Sequence, residues 1–495
     1  MQNTREPIRA IVGRFSFSFA VRIMENVLSE YPFEHCGIIS SGVDPRYFRS
    51  IPSEKQQWFA SSQIRGCAYR GVRWDQLEPL DEELIEHMRE CEATFMEMVS
   101  RLEWKKRVSY ATRKYWYLRH LRFWNDYLKR HRINLYLSAW IPHEIPDIII
   151  YYLCKLKKIP VVYFGISTIP DTSFIEHDWQ ESNTQTGKRY EELFARTPDI
   201  TDPLTIPLPE RFEQRYRALV SETGEVPPLE QQELDVSYGK AIRRLFFTRP
   251  LSFLRYLVLY LTPAGIARAF RAWQRRKETR RATAFYDAHA VTPDLNRPFV
   301  YLPLHFQPEA TTVPQAGGYA DQVLIAQMLD ATLPDSVLLY VKEHPRPSAM
   351  QKHDIEFYRQ FLKLPKVRLM PRGYDTFVLR EHCRSTATAS GTAGFEGLFR
   401  GKPVFLFGHC YYQYAPGVYR IHSAEDCTRA VREVFSEGRL PTLLQCRLYL
   451  KAMEDTCIHG VTDPYCYRVT RLSEQENAAH CSAAILKELR DGVRS

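Results

Sequence analysis

The chain has 495 residues, of which 44% are hydrophobic and 13% aromatic, and a formal net charge of +9. The length excludes one ordinary core and the composition excludes a loosely packed chain, so two large globular domains are expected. The charge favours an anionic partner, such as a nucleotide, an acidic glycan or an anionic membrane surface, although so modest an excess also serves plain solubility.

The first residues, MQNTREPIRAIVGRF, hold no apolar signal-peptide core, and no run of eighteen apolar residues occurs. A cytoplasmic chain without a membrane-spanning helix is therefore expected. Eleven cysteines lie scattered without CxxC pairs. Cys427, Cys446, Cys457 and Cys466 are fairly near one another, but at no zinc-like spacing, so the cysteines read as reduced, mostly buried thiols.

Residues 8–50 predict a strand (IRAIVG), a helix over 19–29 and a strand at CGIIS. Residues 76–130 read as helical. A βαβ signature follows: strand INLYLSAW (133–140), apolar helix 145–158, strand IPVVYFGIS (159–167). Pro142, His143 and Glu144 follow its first strand, and Asp171, Glu176, His177 and Asp178 follow its second. Polar groups at neighbouring strand tips mark a cleft wall.

Residues 186–290 read as mostly helical, with a proline-containing break at 197–209. The apolar stretch PLSFLRYLVLYL (250–261) precedes a helix bearing Arg268, Arg271, Arg275, Arg276, Lys277, Arg280 and Arg281. The plain reading is a core helix running into a solvated linker. The sharper one is a basic amphipathic segment at an anionic membrane, which would make the protein peripheral at the inner face.

RPFVYLPLHFQPE (297–309) begins a second alternation of strands and helices that continues through Phe407, and the chain from Ser423 onward reads as helical. Within it, VLLYV (337–341) is a buried-strand pattern that stops at Lys342, Glu343, His344 and Pro345. Fifty residues later Ser390, Gly391, Thr392, Ala393 and Gly394 form a small, flexible turn before a short helix (395–400) and the strand PVFLFG. Ionisable groups at a strand end, beside a glycine turn opening a helix, suit a phosphate-bearing ligand. No internal repeat, P-loop, GxGxxG, HExxH or GxSxG signature occurs.

With Gln307-Pro308 in LHFQPE, His344-Pro345 in YVKEHP, and SGTAGFEGLFRGKPV, the chain resembles bacterial capsule polysaccharide biosynthesis proteins, including the capsular Kdo-transferase group. The resemblance is strongest over 297–415 and weaker over 133–180. It implies an α/β, GT-B-like architecture of two Rossmann-like domains facing a cleft. On that basis the N-terminal, acceptor domain spans 1–185 and a helical insertion 186–296. The C-terminal domain, holding the nucleotide-sugar donor, spans 297–422, and a helical tail spans 423–495. The resemblance further implies a glycosyltransferase with a CMP-linked, Kdo-like donor, a surface or capsular polysaccharide or glycolipid acceptor, and neither metal nor cofactor.

Glycosyl transfer needs a stabilised leaving phosphate and a deprotonated acceptor hydroxyl. His344, Lys342 and the backbone around Ser390, Gly391, Thr392 and Gly394 are the leaving-group candidates, although strand alternation can turn Lys342 to solvent. Glu396 is a candidate for the nucleotide ribose, Gln307 for the donor sugar or base, and Glu309 for the donor or an ion pair. Tyr411, Tyr412 and Tyr414 read either as an aromatic lid or as core. Glu144 beside His143 is the preferred base, with Asp171, Glu176 and Asp178 next in line. Two further readings stand beside this one: a CDP-alditol phosphotransferase of the teichoic-acid polymerase type, and a non-catalytic assembly subunit. The basic cluster sits on one helix without a nucleic-acid reading module, so no nucleic-acid partner is expected.

Overall fold

A computed structural model describes residues 6–41, 48–100, 108–221, 262–307, 309–344 and 353–492. The apolar stretch 250–261, Pro308 and Pro345 lie outside them.

Two six-stranded sheets organise the chain. The first contains β1 (Arg9–Gly13), β2 (His35–Ser40), β3 (Gln56–Ala60), β4 (Leu135–Ser138), β5 (Val161–Ile166) and β6 (Ser173–Glu176), in the order β3-β2-β1-β4-β5-β6. All its pairs are parallel except β5 with β6. The second contains β7 (Phe299–Pro303), β8 (Leu338–Lys342), β9 (Val367–Met370), β10 (Ser385–Thr388), β11 (Val404–Leu406) and β12 (Val418–Arg420). It is fully parallel, in the order β12-β11-β10-β7-β8-β9. Strand order reverses between β1 and β4 and again between β7 and β10. These are doubly wound sheets with one switch point each, and together they give the mixed α/β, GT-B-like architecture.

Helices cover both faces because parallel strands need crossovers. In the first sheet these include α1 (Ser18–Glu30), α2 (Arg89–Val99), α3 (Tyr110–Arg130) and α4 (Ile145–Leu156). Pro146 opens α4, where a missing N–H costs nothing, and an Ile-rich run then buries almost the whole helix. The long helix α5 (Pro263–His289) begins at Thr262, whose hydroxyl accepts the Gly265 N–H at 3.0 Å, and leads into β7. The short α6 (Thr392–Leu398) follows β10, starting three residues before the predicted helix. The last helix, α7 (Glu474–Asp491), starts from a Ser473/Glu476 capping box.

Four apolar regions hold the assembly. One face of the first sheet packs on α2, α3 and α4 through Phe95, Tyr117, Trp124 and Ile149. Its other face packs on α1 and on α7, with Phe19, Ile23 and Val27 against Cys481, Ile485 and Leu486. The second sheet has its own core around Val300, Leu302, Leu339, Val341 and Phe405. A joint core of Ile169, Phe174, Phe212, Tyr216, Phe395, Tyr412 and Tyr449 ties residues of the first half to β11 and α6. Helix 210–220 belongs to this joint core, where Glu213 pairs with Arg447 at 2.6 Å. All eleven cysteines are free thiols, and ten are buried.

Candidate functional site

At the switch point of the second sheet, the residues after β7 meet those after β10. His305 is the centre of this meeting, and nothing in the sequence singled it out. Its Nε2 lies 3.0 Å from the Thr388 hydroxyl and accepts the Ser390 N–H at 3.4 Å. The Gly391 N–H donates to the same Thr388 oxygen at 2.9 Å. The backbone of His305 is clasped by Gln322, which accepts its N–H at 2.7 Å and donates to its carbonyl at 3.3 Å. Burial, with the nearby His344 and His353, pushes the His305 imidazole down to about 4. The ring is therefore neutral near pH 7, and with Nε2 accepting, its proton resides on Nδ1. Gly391 has to be glycine here, since a Cβ would stand 2.8 Å from His305 Cε1 and 3.0 Å from the Thr388 hydroxyl.

The predicted turn is thus partly engaged within the protein. Ser390 donates its hydroxyl to the Thr311 carbonyl at 2.6 Å, and Tyr412 donates to the Gly391 carbonyl. Gly394 packs so closely on Tyr412 and Val404 that a Cβ there would overlap both. The N–H groups of Ser390 and Gly391 are occupied, so the donors left at the start of α6 are those of Thr392 and Ala393.

Lys342 does not turn to solvent: it ends β8 at 2% exposure, and burial pulls its pKa down. Its neighbour Glu343, to which the sequence assigned no role, is also buried and accepts from His353 Nδ1 at 2.8 Å and from Tyr358. Burial works to raise the Glu343 pKa, but His353 and these bonds outweigh it and hold it below the usual range. The His344 N–H donates to the same carboxylate at 2.8 Å, and its ring stands edge-on to Phe306 with centroids 5.9 Å apart. Glu396 forms an ion pair with Arg380. Glu309 closes a turn, with its N–H donated to the Thr312 hydroxyl at 3.2 Å and its carbonyl accepting from Thr312 and Val313.

The three tyrosines form no lid. Tyr412 is fully buried beneath the turn, Tyr411 bonds Thr168 of the first half at 2.9 Å, and Tyr414 donates to Glu181. They join the two halves, because a ring with one polar end can be buried wherever that end finds a partner.

At the switch point of the first sheet the dominant feature is a buried ion pair, also unforeseen. Arg14, with a positive φ of 72°, makes two bonds to Asp147 at 2.7 and 2.8 Å and a third to Ser61 at 3.0 Å. Glu144 precedes α4 and pairs with Arg65 at 2.7 Å, while His143 is tied to the Ile141 carbonyl at 2.8 Å. Asp171 needs correcting as an acceptor-side residue. It is 3% exposed and locked by Arg211 at 3.1 Å, the Thr470 hydroxyl and the Arg471 N–H at 2.9 Å, so it clamps the C-terminal segment to the first half. Glu176 is buried on β6, where desolvation raises its pKa to about 8. Asp178 is held by Tyr151 and Lys155, each at 2.7 Å.

A cleft of about 650 Å³ opens between the halves. Glu90, Thr94 and Glu97 on α2 line it, with Gln180, from one side, and Gln307, Asp321, His353 and His409 from the other. Gln307 is the one predicted residue in its wall; Glu144, His344 and Ser390 are not part of it. Among the described residues, three carboxylates and no lysine or arginine line this cleft in a chain of net charge +9.

The two doubly wound sheets, with a cleft lined from both halves, define an α/β protein of Rossmann-like, GT-B-like architecture. Residues 264–438, from α5 through the second sheet, match the family model described as capsule polysaccharide biosynthesis protein. No curated protein matches the chain. Among solved structures, similarity is found to the beta-Kdo 2,7-transferase KpsC of Thermosulfurimonas dismutans (10% identity, 79% of this chain and 96% of that one, TM-score 0.32). A glycosyltransferase of Rickettsia africae is also similar (11%, 98% and 99%, TM-score 0.26), as is the UDP-GlcNAc 2-epimerase of Methanocaldococcus jannaschii (9%, 91% and 100%, TM-score 0.25).

Proposed function

We propose that the protein is a glycosyltransferase of capsule polysaccharide synthesis that moves a sugar from a nucleotide donor, CMP-linked and Kdo-like, to a glycan acceptor. The observation that carries this reading is the second switch point, where His305, Thr388, Ser390 and Gly391 form one hydrogen-bonded unit at the start of α6. A nucleotide phosphate placed there meets the N–H groups of Thr392 and Ala393, with His344 and the buried Lys342 at the neighbouring strand end. Those donors stabilise charge as the glycosidic C–O bond to phosphate breaks. Glu396, oriented by Arg380, is available to ribose hydroxyls.

The acceptor occupies the cleft under α2. Its carboxylates and amides, with no lysine or arginine among the described lining residues, accept from sugar hydroxyls and disfavour an acidic sugar ring. Glu144 is engaged by Arg65, whereas Glu97 lines the cleft and its carboxylate has no hydrogen-bond or ion-pair partner among the described residues. Glu97 therefore takes first place as proton acceptor from the attacking hydroxyl, ahead of Glu144.

The test is a thermal-shift panel of CMP, CDP, UDP and GDP. A ligand that binds only the folded state stabilises it by about 2.7 kcal/mol at a hundred times its Kd. The reading expects CMP to give the largest shift. A panel without any shift defeats it, and a shift with UDP alone moves the donor assignment.

A further inference from the structure

Helix α5 runs for 27 residues, and among the described residues one side of it docks on the second sheet. Ala282 and Tyr286 are buried in the core of the second sheet, and the Tyr286 hydroxyl donates to the Met370 carbonyl at 2.6 Å. On the other side stand Ile266, Phe270, Trp273 and Lys277, spaced by four, three and four residues, so they form one stripe along the helix. Ile266 is 59% exposed, and Phe270 and Trp273 are each 55% exposed. The two aromatic rings stack on each other at 5.8 Å, and the Lys277 ammonium sits 5.2 Å from the Trp273 ring. Arg276, Arg280 and Arg281 continue the exposed face. In sequence the helix carries seven lysines and arginines against two carboxylates, Glu278 and Asp287. Asp287 is held by Arg372 at 2.8 Å.

An apolar aromatic stripe running into a row of cations matches the boundary of an anionic bilayer, where rings enter the acyl edge and cations meet headgroups. No described helix is long and apolar enough to cross a membrane, so the fit is to a helix lying along the surface. We propose that the outward face of α5 rests on an anionic lipid surface and holds the protein beside a membrane-borne acceptor. This contact does not depend on which nucleotide the second sheet binds. Nucleic acid shares the negative charge but offers no apolar layer for Ile266, Phe270 and Trp273, so lipid is the favoured partner.

The experiment is sedimentation of the full chain with phosphatidylcholine vesicles, with and without phosphatidylglycerol, at low and high salt. The chain is expected to pellet with phosphatidylglycerol vesicles at low salt only. Replacing Arg276, Lys277, Arg280 and Arg281 by Gln is expected to weaken binding roughly fivefold per cation. Phe270→Ser with Trp273→Ser is expected to weaken it at least tenfold. These residues are exposed, so the variants should keep the parent melting temperature. Equal recovery with neutral and anionic vesicles overturns the proposal. So does binding to single-stranded RNA that matches binding to vesicles and ignores the Phe270 and Trp273 replacements.

Discussion

His305 works as a neutral ring, and its neutrality has consequences in acid. Its folded-state pKa of about 4 lies below the ordinary histidine value of 6.5, so the folded protein binds fewer protons than the unfolded chain between them. Stability from this residue is complete above about pH 6.5 and is lost as the pH falls toward 4. Glu176 acts in the opposite sense. Burial raises its pKa to about 8 from 4.5, so the folded state holds the proton and stability falls as the pH rises through that window. At about 1.4 kcal/mol per pKa unit, the full effect of Glu176 is bounded near ~5 kcal/mol. Glu176→Gln, which can still accept the Asn183 N–H, is therefore expected to flatten the alkaline side of a urea-denaturation profile measured across pH. A variant that follows the parent at every pH refutes the assignment.

Catalytic roles separate at the same scale. His344→Ala should lower turnover on the order of 100- to 1000-fold through loss of a leaving-group donor. Glu97→Gln should spare nucleotide binding and depress turnover, and Glu144→Gln should do less. Turnover and nucleotide affinity measured for all three decide this, and a fully active Glu97→Gln returns the base to Glu144. The sequence placed His344 at a strand end because a β-branched run halts visibly at charged residues. It hid His305, whose partners Thr388 and Ser390 lie 83 and 85 positions away. It hid Arg14 for the same reason, since Asp147 is 133 positions distant. Nothing local marks an arginine as half of a buried pair.

Among elements, the β10 turn–α6 unit is the least tolerant of added atoms. Gly391→Ala places a methyl group against His305 and Thr388. Overpacking of this kind costs about 1–3 kcal/mol. Because His305 must move, the loss should appear in nucleotide affinity as well as in Tm, and a variant with parental affinity would show that the ring is not part of the site. Asp147→Ala strands the Arg14 guanidinium between β1 and α4, and breaking such a pair costs about 3–5 kcal/mol in chemical denaturation. The long helices and the apolar parallel strands were legible because their periodicity repeats over many residues. The strands QQWFA, SFIE and VYR were not, because runs of three to five residues with polar members carry too little pattern. Asp171 misled for a related reason. A carboxylate after a strand reads as a cleft residue until the C-terminal segment covers it.

At the scale of the whole molecule, the last helix completes the first sheet. Ile485 and Leu486 of α7 pack on the face that α1 covers, so Leu486→Ala should destabilise the protein by about 2–5 kcal/mol, measured by chemical denaturation. The order of synthesis gives this packing a further meaning. Phe19, Ile23 and Val27 leave the ribosome early, but their covering residues lie beyond position 473. At about 5–20 residues per second, that wall arrives roughly 20–90 s after α1 emerges. The first half cannot finish folding until α7 has emerged, and its α1 face stays sticky until then. Nascent chains stalled before Ser473 should therefore carry bound chaperone at the α1 surface, and chains long enough to expose α7 should shed it.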